Sequence, residues 1–162
     1  MSGNQSWETP DELFKKCDAI WGFEVDVCAD ETNRKCKHYF DEARDGLKQN
    51  WKHYVCWCNP PYKDPLSWIH KAEDSALRGA TVVMLLPVDT STYWFKEIMY
   101  SAYEIIFLNP RVRFIGAPGS PRWANMLVVW KPHAKGMTRT TPMVHHWCWK
   151  EGEVSDAEAE DV

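Results

Sequence analysis

A chain of 162 residues with 44% hydrophobic residues is long enough for one domain with its own core, which excludes a disordered or fibrous protein. No apolar run approaches the ~20 residues of a membrane span, and the polar start at residues 1–5 lacks a signal-peptide pattern, so a cytoplasmic protein with no membrane partner is expected. The formal charge of −4 looks wrong for a nucleic-acid binder, but residues 151–162 hold six acidic residues and no Lys or Arg, which leaves about +2 on residues 1–150.

These features divide the chain into a single domain, 1–150, and an acidic tail, 151–162, expected to be a solvated, disordered end. Six cysteines in such a chain are expected as thiols. A zinc site built from Cys36, His38, Cys56 and Cys58 is conceivable, but the spacing does not match the usual paired-cysteine pattern, and no metal is expected. Ten tryptophans serve mainly as core, with some available as platforms for stacking bases.

In chain order, Thr9-Pro10-Asp11-Glu12 is a helix start, with Thr9 as the cap and Pro10 at the first helical position. Leu13, Phe14, Cys17, Ile20 and Trp21 then share one face, and Gly22 ends the helix. Phe23 to Ala29 reads as a strand ending in Asp26-Val27-Cys28-Ala29-Asp30, where small residues let a ligand approach the backbone. Asp30 can cap a short helix through Cys36, and Lys35 to Phe40 reads as a second short strand. Asp45-Gly46 is a turn.

Val55 to Cys58 begins as a buried strand and stops at Asn59-Pro60-Pro61-Tyr62, because neither proline can donate to a sheet ladder. Asp64-Pro65 opens a helix that faces Leu66, Ile69, Ala72 and Ala76 inward and closes at Gly79. Thr81 to Leu86 is a continuous apolar strand suited to a sheet covered on both faces. A loop at 87–91, a helix from Thr92 to Ala102 and a strand from Glu104 to Leu108 follow. Asn109 to Trp123 is a Gly/Pro-rich stretch carrying Arg111, Arg113 and Arg122, then Asn125 to Trp130 is a strand and Met143 to Trp149 an edge strand. The alternation predicts an α/β fold, a mostly parallel sheet with a reversed final strand.

In an open α/β sheet the C-terminal strand tips are where ligands sit. An amide, a rigid turn and an aromatic plate at such a tip suit a flat, amine-bearing ring. The lone pair of an adenine amine is delocalised into its ring. Two acceptors aimed at its hydrogens, the Asn59 oxygen and the Pro60 carbonyl, favour the more tetrahedral nitrogen that develops in methyl transfer. Tyr62 can stack on the ring. A sulfonium methyl donor in line would leave orientation and fixed dipoles as the main source of rate, and a stacked base would have to flip out to reach the site. The plain alternative for these four residues is a turn after a core strand.

The chain resembles DNA N6-adenine methyltransferases of the compact, Dam-like group common in bacteriophages. The resemblance runs from about Trp7 to Trp130, over Trp7-x-Thr-Pro-x-x-Leu-Phe, Asp26-Val-Cys-Ala-Asp with Asn33, Asp45-Gly-Leu-x-x-x-Trp51, Asn59-Pro-Pro-Tyr62, Trp68-x-x-Lys-Ala72 and Leu85-Leu-Pro87. It implies a Rossmann-like S-adenosylmethionine (AdoMet)-dependent methyltransferase fold acting on double-stranded DNA in a bacterial or phage-infected cell, with no obligatory protein partner. By the same resemblance Asn59, Pro60, Pro61 and Tyr62 are catalytic, and Trp7, Thr9, Pro10, Asp26, Cys28, Ala29, Asp45 and Asn59 hold the cofactor. Thr9 and Pro10 match the segment near its methionine end, and Asp45 the acidic position near its adenine. The chain departs from the widespread pattern in having no glycine at Cys28-Ala29-Asp30, where that cofactor loop is glycine-rich.

No separate target-recognition domain is expected, so sequence reading falls to loops 89–95 and 109–123, with Arg111, Arg113 and Arg122 able to bind phosphate or guanine edges. Those arginines can equally be solvated or salt-bridged. Asp89 either lines the substrate pocket or caps the following helix, and His145 and His146 read as surface histidines. Two other functions stay open. One is the same fold acting on cytosine N4, an RNA base or a protein glutamine; the other is a non-catalytic nucleic-acid-binding module.

Overall fold

Seven strands form one sheet in the order β2-β1-β3-β4-β6-β5-β7. They are β1 (Val25–Asp26), β2 (His38–Tyr39), β3 (Val55–Cys58), β4 (Thr81–Pro87), β5 (Glu104–Asn109), β6 (Asn125–Trp130) and β7 (Met143–Cys148), and the helices are α1 (Asp11–Trp21), α2 (Pro65–Leu77) and α3 (Tyr93–Ser101). The computed structural model describes residues 7–133 and 141–150. The expected acidic tail lies outside the described residues.

β1, β2, β3 and β4 run parallel, and β6 is inserted antiparallel between β4 and β5. β7 then pairs parallel with β5 at the edge, so the reversed strand is the one before the last. This is the Rossmann-like methyltransferase architecture, with the sheet abbreviated at the β2 side. Because Pro87 at the end of β4 faces Asn125 at the start of β6, the loops after β1, β3, β4 and β5 all emerge at one edge of the sheet. The site is built there.

The strands divide two apolar cores by their alternation. Cys56, Cys58, Val82, Met84 and Trp130 point to one side, against Ile69 and Ala72 of α2 and Ile98 of α3. Trp57, Val83 and Leu85 point to the other, against Leu13, Phe14 and Cys17 of α1 and Val112 and Phe114 of the β5–β6 connection. Trp57 meets Phe14 edge-on at 5.4 Å and Phe23 at 5.3 Å. Aromatic pairs of this kind add about 0.5–1.5 kcal/mol each beyond area burial. Cys56 and Cys58 share a side, as their spacing predicts, while Cys36 packs in the opposite core. The four residues considered for zinc are therefore not gathered, and among the described residues no three His, Cys, Asp or Glu side chains converge on a metal position.

Several local expectations are corrected. Thr9 does not cap α1; Pro10 is the N-cap, its carbonyl accepts the Phe14 N–H at 3.1 Å, and the Thr9 hydroxyl is turned elsewhere. Ile20, on the flank of the apolar stripe in the last turn, is 60% exposed. Asp30 caps a single turn and no helix: its carboxylate accepts the N–H groups of Thr32 (2.7 Å) and Asn33 (3.0 Å), while Asn33 accepts the Asp30 N–H at 2.8 Å. That reciprocal closure, followed by capture of the Lys35 N–H by Asp26 at 3.0 Å, pulls the chain into β2 before a helix can propagate. Among the described residues no helix is long and apolar enough to cross a membrane.

Candidate active site

An open cleft of about 1210 Å³ runs along the sheet edge. Small-molecule pockets occupy roughly 300–1,000 Å³, so this one has room for more than one ligand. Every residue singled out above as catalytic or cofactor-holding borders the cleft or its side recess, except Pro10. The elements converge because each strand tip ends differently: two prolines stop β3, a buried carboxylate turns the chain after β1, and Pro87 ends β4.

At the β3 tip the Asn59 side-chain Nδ2 donates to the Trp7 carbonyl at 2.9 Å. A carbonyl can only accept, so this bond fixes which end of the amide carries the oxygen and leaves Oδ1 available as an acceptor. Pro60 is buried, and the Pro61 carbonyl accepts the Asp64 N–H at 3.3 Å to start the turn into α2. The Tyr62 ring meets Phe114 edge-on at 6.1 Å, and its hydroxyl accepts from Asn125 Nδ2 at 3.2 Å. Burial raises the Tyr62 phenol pKa well above its ordinary value, with the Asn125 hydrogen bond working the other way, so the ring stays neutral.

Beside these residues is a small recess lined by Trp7, Asn59, Pro60, Tyr62, Phe114 and Trp123. Trp7 stacks on Trp123 with centroids 6.1 Å apart and leans on Phe114 at 6.2 Å. Trp7, expected at the cofactor, is thus equally part of an aromatic wall next to Asn59. Trp123, Phe114 and Asn125 were not singled out from the sequence. A tryptophan closing a Gly/Pro-rich stretch is a signal that could have flagged Trp123; Phe114 and Asn125 carry none, since their roles depend on where Tyr62 lies.

On the β1 side the strand tip packs directly against a glycine from another segment. A Cβ built on Gly46 would lie 2.0 Å from the Val27 carbonyl oxygen, so the backbones of the β1 tip and the 45–46 turn are in direct contact. Trp51 Nε1 holds the same turn by donating to the Gly46 carbonyl at 2.9 Å. Asp45, with φ of 55°, accepts the Leu47 N–H at 3.2 Å and borders the cleft.

Asp26 is 2% exposed, and its carboxylate accepts from Cys28 N–H at 3.3 Å and Lys35 N–H at 3.0 Å. Burial raises its pKa to about 6 against the pull of those two hydrogen bonds. Asp26 therefore shapes the loop that borders the cleft. Cys28 has its thiol pushed up to about 12 by burial and by Asp26, so it is no thiolate at neutral pH.

Lys35 lies at the back of the cleft with a nearly buried side chain, its ammonium 2.8 Å from Glu8 and 2.7 Å from Asp11. Burial opposes its charge, but the hydrogen bonds and charges of Asp11 and Glu8 outweigh it and raise its pKa. The Lys35 hydrogen bond and charge lower the Asp11 carboxyl in turn.

Arg111, Arg113 and Arg122 are exposed in the connection 110–124, whose Ile115 pairs with Glu8 as an isolated antiparallel bridge. The Arg111 guanidinium reaches only the Pro121 carbonyl, at 3.4 Å, and among the described residues none of the three pairs with a carboxylate. Asp89 borders the cleft and accepts from Ser91, while Thr92 caps α3. Of its two readings, the capping one is excluded. His145 faces Glu104 at 3.2 Å on the exposed β7.

The DNA N-6-adenine-methyltransferase (Dam) family profile matches residues 2–153. The chain belongs to that family. It is 37% identical over 142 residues to the DNA N-6-adenine-methyltransferase of Haemophilus phage HP1, covering 82% of each chain. It is 35% identical over 104 residues to the protein of the same name from Escherichia phage T1, covering 63% of this chain and 44% of that one.

Proposed function

We propose that the protein transfers a methyl group from AdoMet to the N6 amine of an adenine flipped out of double-stranded DNA. The observation that carries this reading is the Asn59 amide, held by the Trp7 carbonyl so that its oxygen is free beside an aromatic recess. Membership of a DNA N-6-adenine-methyltransferase family gives the substrate class.

The residues present fit the cofactor. Thr9 borders the cleft, and among the described residues its buried hydroxyl has no hydrogen-bond partner, which leaves a polar group to satisfy beside the cofactor's methionine end. Asp26, Asp30, Asp41, Glu42 and Asp45 give that half of the cleft an acidic border, suited to a ligand carrying a sulfonium and an ammonium. Asp45 suits the ribose or adenine end, and the tight Val27–Gly46 contact forms the floor between the two. When bound, AdoMet supplies an electrophilic methyl group.

The chain's own residues do the rest. Asn59 Oδ1 and the Pro60 carbonyl accept the two amine hydrogens, which draws the nitrogen toward the tetrahedral geometry in which its lone pair is free. Tyr62 and the Trp7–Trp123 wall hold the ring by its faces. Arg111, Arg113 and Arg122, which pair with no carboxylate among the described residues, take phosphates or guanine edges outside. The acidic inner cleft and basic outer loop separate a cationic cofactor from an anionic polymer.

Asn59→Ala tests the reading. Turnover on genomic DNA free of N6-methyladenine should be lost, while binding of a non-reactive AdoMet analogue by calorimetry is largely kept. Full activity in that variant would remove the mechanism. Nucleoside analysis that finds N4-methylcytosine in place of N6-methyladenine would transfer the same chemistry to a different amine.

A further inference from the structure

We infer that Lys35 is a positioning residue for methyl transfer, acting on Asn59 through the Trp7–Glu8 peptide; the inference rests on the proposed role of Asn59. The Trp7 carbonyl that receives Asn59 Nδ2 and the Glu8 N–H belong to one planar peptide unit. Its two polar groups point in opposite directions. The Glu8 N–H donates to the Ile115 carbonyl at 3.3 Å, and the Ile115 N–H donates back to the Glu8 carbonyl at 2.9 Å. The direction of the Trp7 carbonyl, and with it the rotation of the catalytic amide, is set by how this short segment is held.

Lys35 holds it. The ammonium joins Glu8, which follows Trp7, to Asp11, the first residue of α1, and so spans Thr9 and Pro10. The Lys35 side chain is only 5% exposed while its two carboxylate partners reach solvent, so the ammonium is held in one place by charge-assisted hydrogen bonds and would be left short of partners if Glu8 were neutralised. Its own backbone N–H is held by Asp26 at the tip of β1. A continuous set of bonds therefore runs from the cofactor side of the cleft through Asp26, Lys35 and Glu8 to the amide at the β3 tip. Nothing in the chemistry of transfer requires a lysine here, since Glu8, Trp7 and Asn59 stand between Lys35 and the reacting nitrogen in this chain of contacts. Its effect is geometric: a misplaced acceptor costs rate without costing much ligand affinity.

The test uses the full-length protein and the variants Lys35→Met, Lys35→Arg and Glu8→Gln, with Arg78→Met, in an exposed pair with Asp74, as control. Lys35→Met should lower kcat by about 10–100-fold, the cost of a small misplacement in an oriented reaction, with KM for AdoMet changed far less. Glu8→Gln should act in the same direction, and Lys35→Arg should restore most of kcat. Independently of turnover, the Asn59 side-chain amide protons, assigned by their loss in Asn59→Ala, should exchange about tenfold faster in Lys35→Met than in wild type or the control. Unchanged Asn59 exchange and unchanged kcat in a folded Lys35→Met protein would overturn the inference. So would an equal loss in Lys35→Arg with no change at Asn59, which marks a packing role alone. If Asn59→Ala itself retained turnover, the proposed function would fail, while the exchange measurement would still report whether Lys35 holds the amide.

Discussion

Substituting Gly46 by alanine tests the close backbone contact at the floor of the proposed cofactor site. A Cβ at this position would lie 2.0 Å from the Val27 carbonyl oxygen and 3.2 Å from the edge of the Trp68 ring. The nearer neighbour is backbone, and it cannot yield by rotating a side chain. Either the β1 tip moves outward by more than 1 Å, to reach an ordinary C···O separation of about 3.3 Å or more, or the 45–46 turn swings away and strains the Trp51–Gly46 hydrogen bond. Overpacking a rigid interior costs typically 1–3 kcal/mol, and a backbone clash belongs at the upper end, about 3 kcal/mol. In a chain of this length each kcal/mol lowers Tm by about 2–4 °C, so a fall of roughly 6–12 °C is expected. Because the displaced atoms form the floor of the proposed cofactor site, AdoMet affinity should fall as well. Thermal unfolding followed by tryptophan fluorescence and calorimetric titration with AdoMet measure the two effects. Gly116→Ala, where nothing lies within 4 Å but φ is +83°, is the comparison; it should show only backbone strain, about 1–2 kcal/mol, with AdoMet affinity retained. A Gly46→Ala protein with wild-type Tm and wild-type AdoMet affinity would refute the reasoning.

Two further outcomes follow from the same geometry. Tyr62→Ala should weaken capture of the target base by about 1–3 kcal/mol, read as a raised KM for DNA, and Tyr62→Phe should lose much less because the Asn125 bond only steadies the ring; equal losses in both would assign the role to the hydroxyl. Asp26, with its pKa raised from 3.8 to about 6, binds more protons folded than unfolded, so its own contribution to stability is fullest below about pH 4 and is lost as pH rises through 6, by on the order of 3 kcal/mol. Denaturant melts across that window should show the slope, and Asp26→Asn should flatten it; an unchanged slope would mean another group is responsible.

Much of the site was legible along the chain because its signals are local. Two consecutive prolines must end a strand wherever it lies, and a strand tip followed at once by a helix start is ligand-binding geometry in this fold class. The same local logic located β3, β4, β6 and all three helices, since a continuous apolar run or a 3.6-residue stripe reflects burial directly. It misled where side chains compete for the backbone. At Asp30 the expected cap exists, but reciprocal bonding with Asn33 closes one turn and stops. At Thr9 a helix-capping residue in the right place leaves its buried hydroxyl unpaired among the described residues.

The sequence by itself determined the fold class, the sheet edge proposed to bind ligands and the strand tip proposed at its centre, because each follows from periodicity or from the absent N–H of proline. Only the tertiary structure decided how those residues are held. Trp7 orients Asn59 across 52 positions, Asn125 steadies Tyr62 across 63, and Gly46 meets the Val27 carbonyl from a different segment. Contacts of that range leave no pattern in the residues between them: they depend on which loops the sheet order brings to one edge.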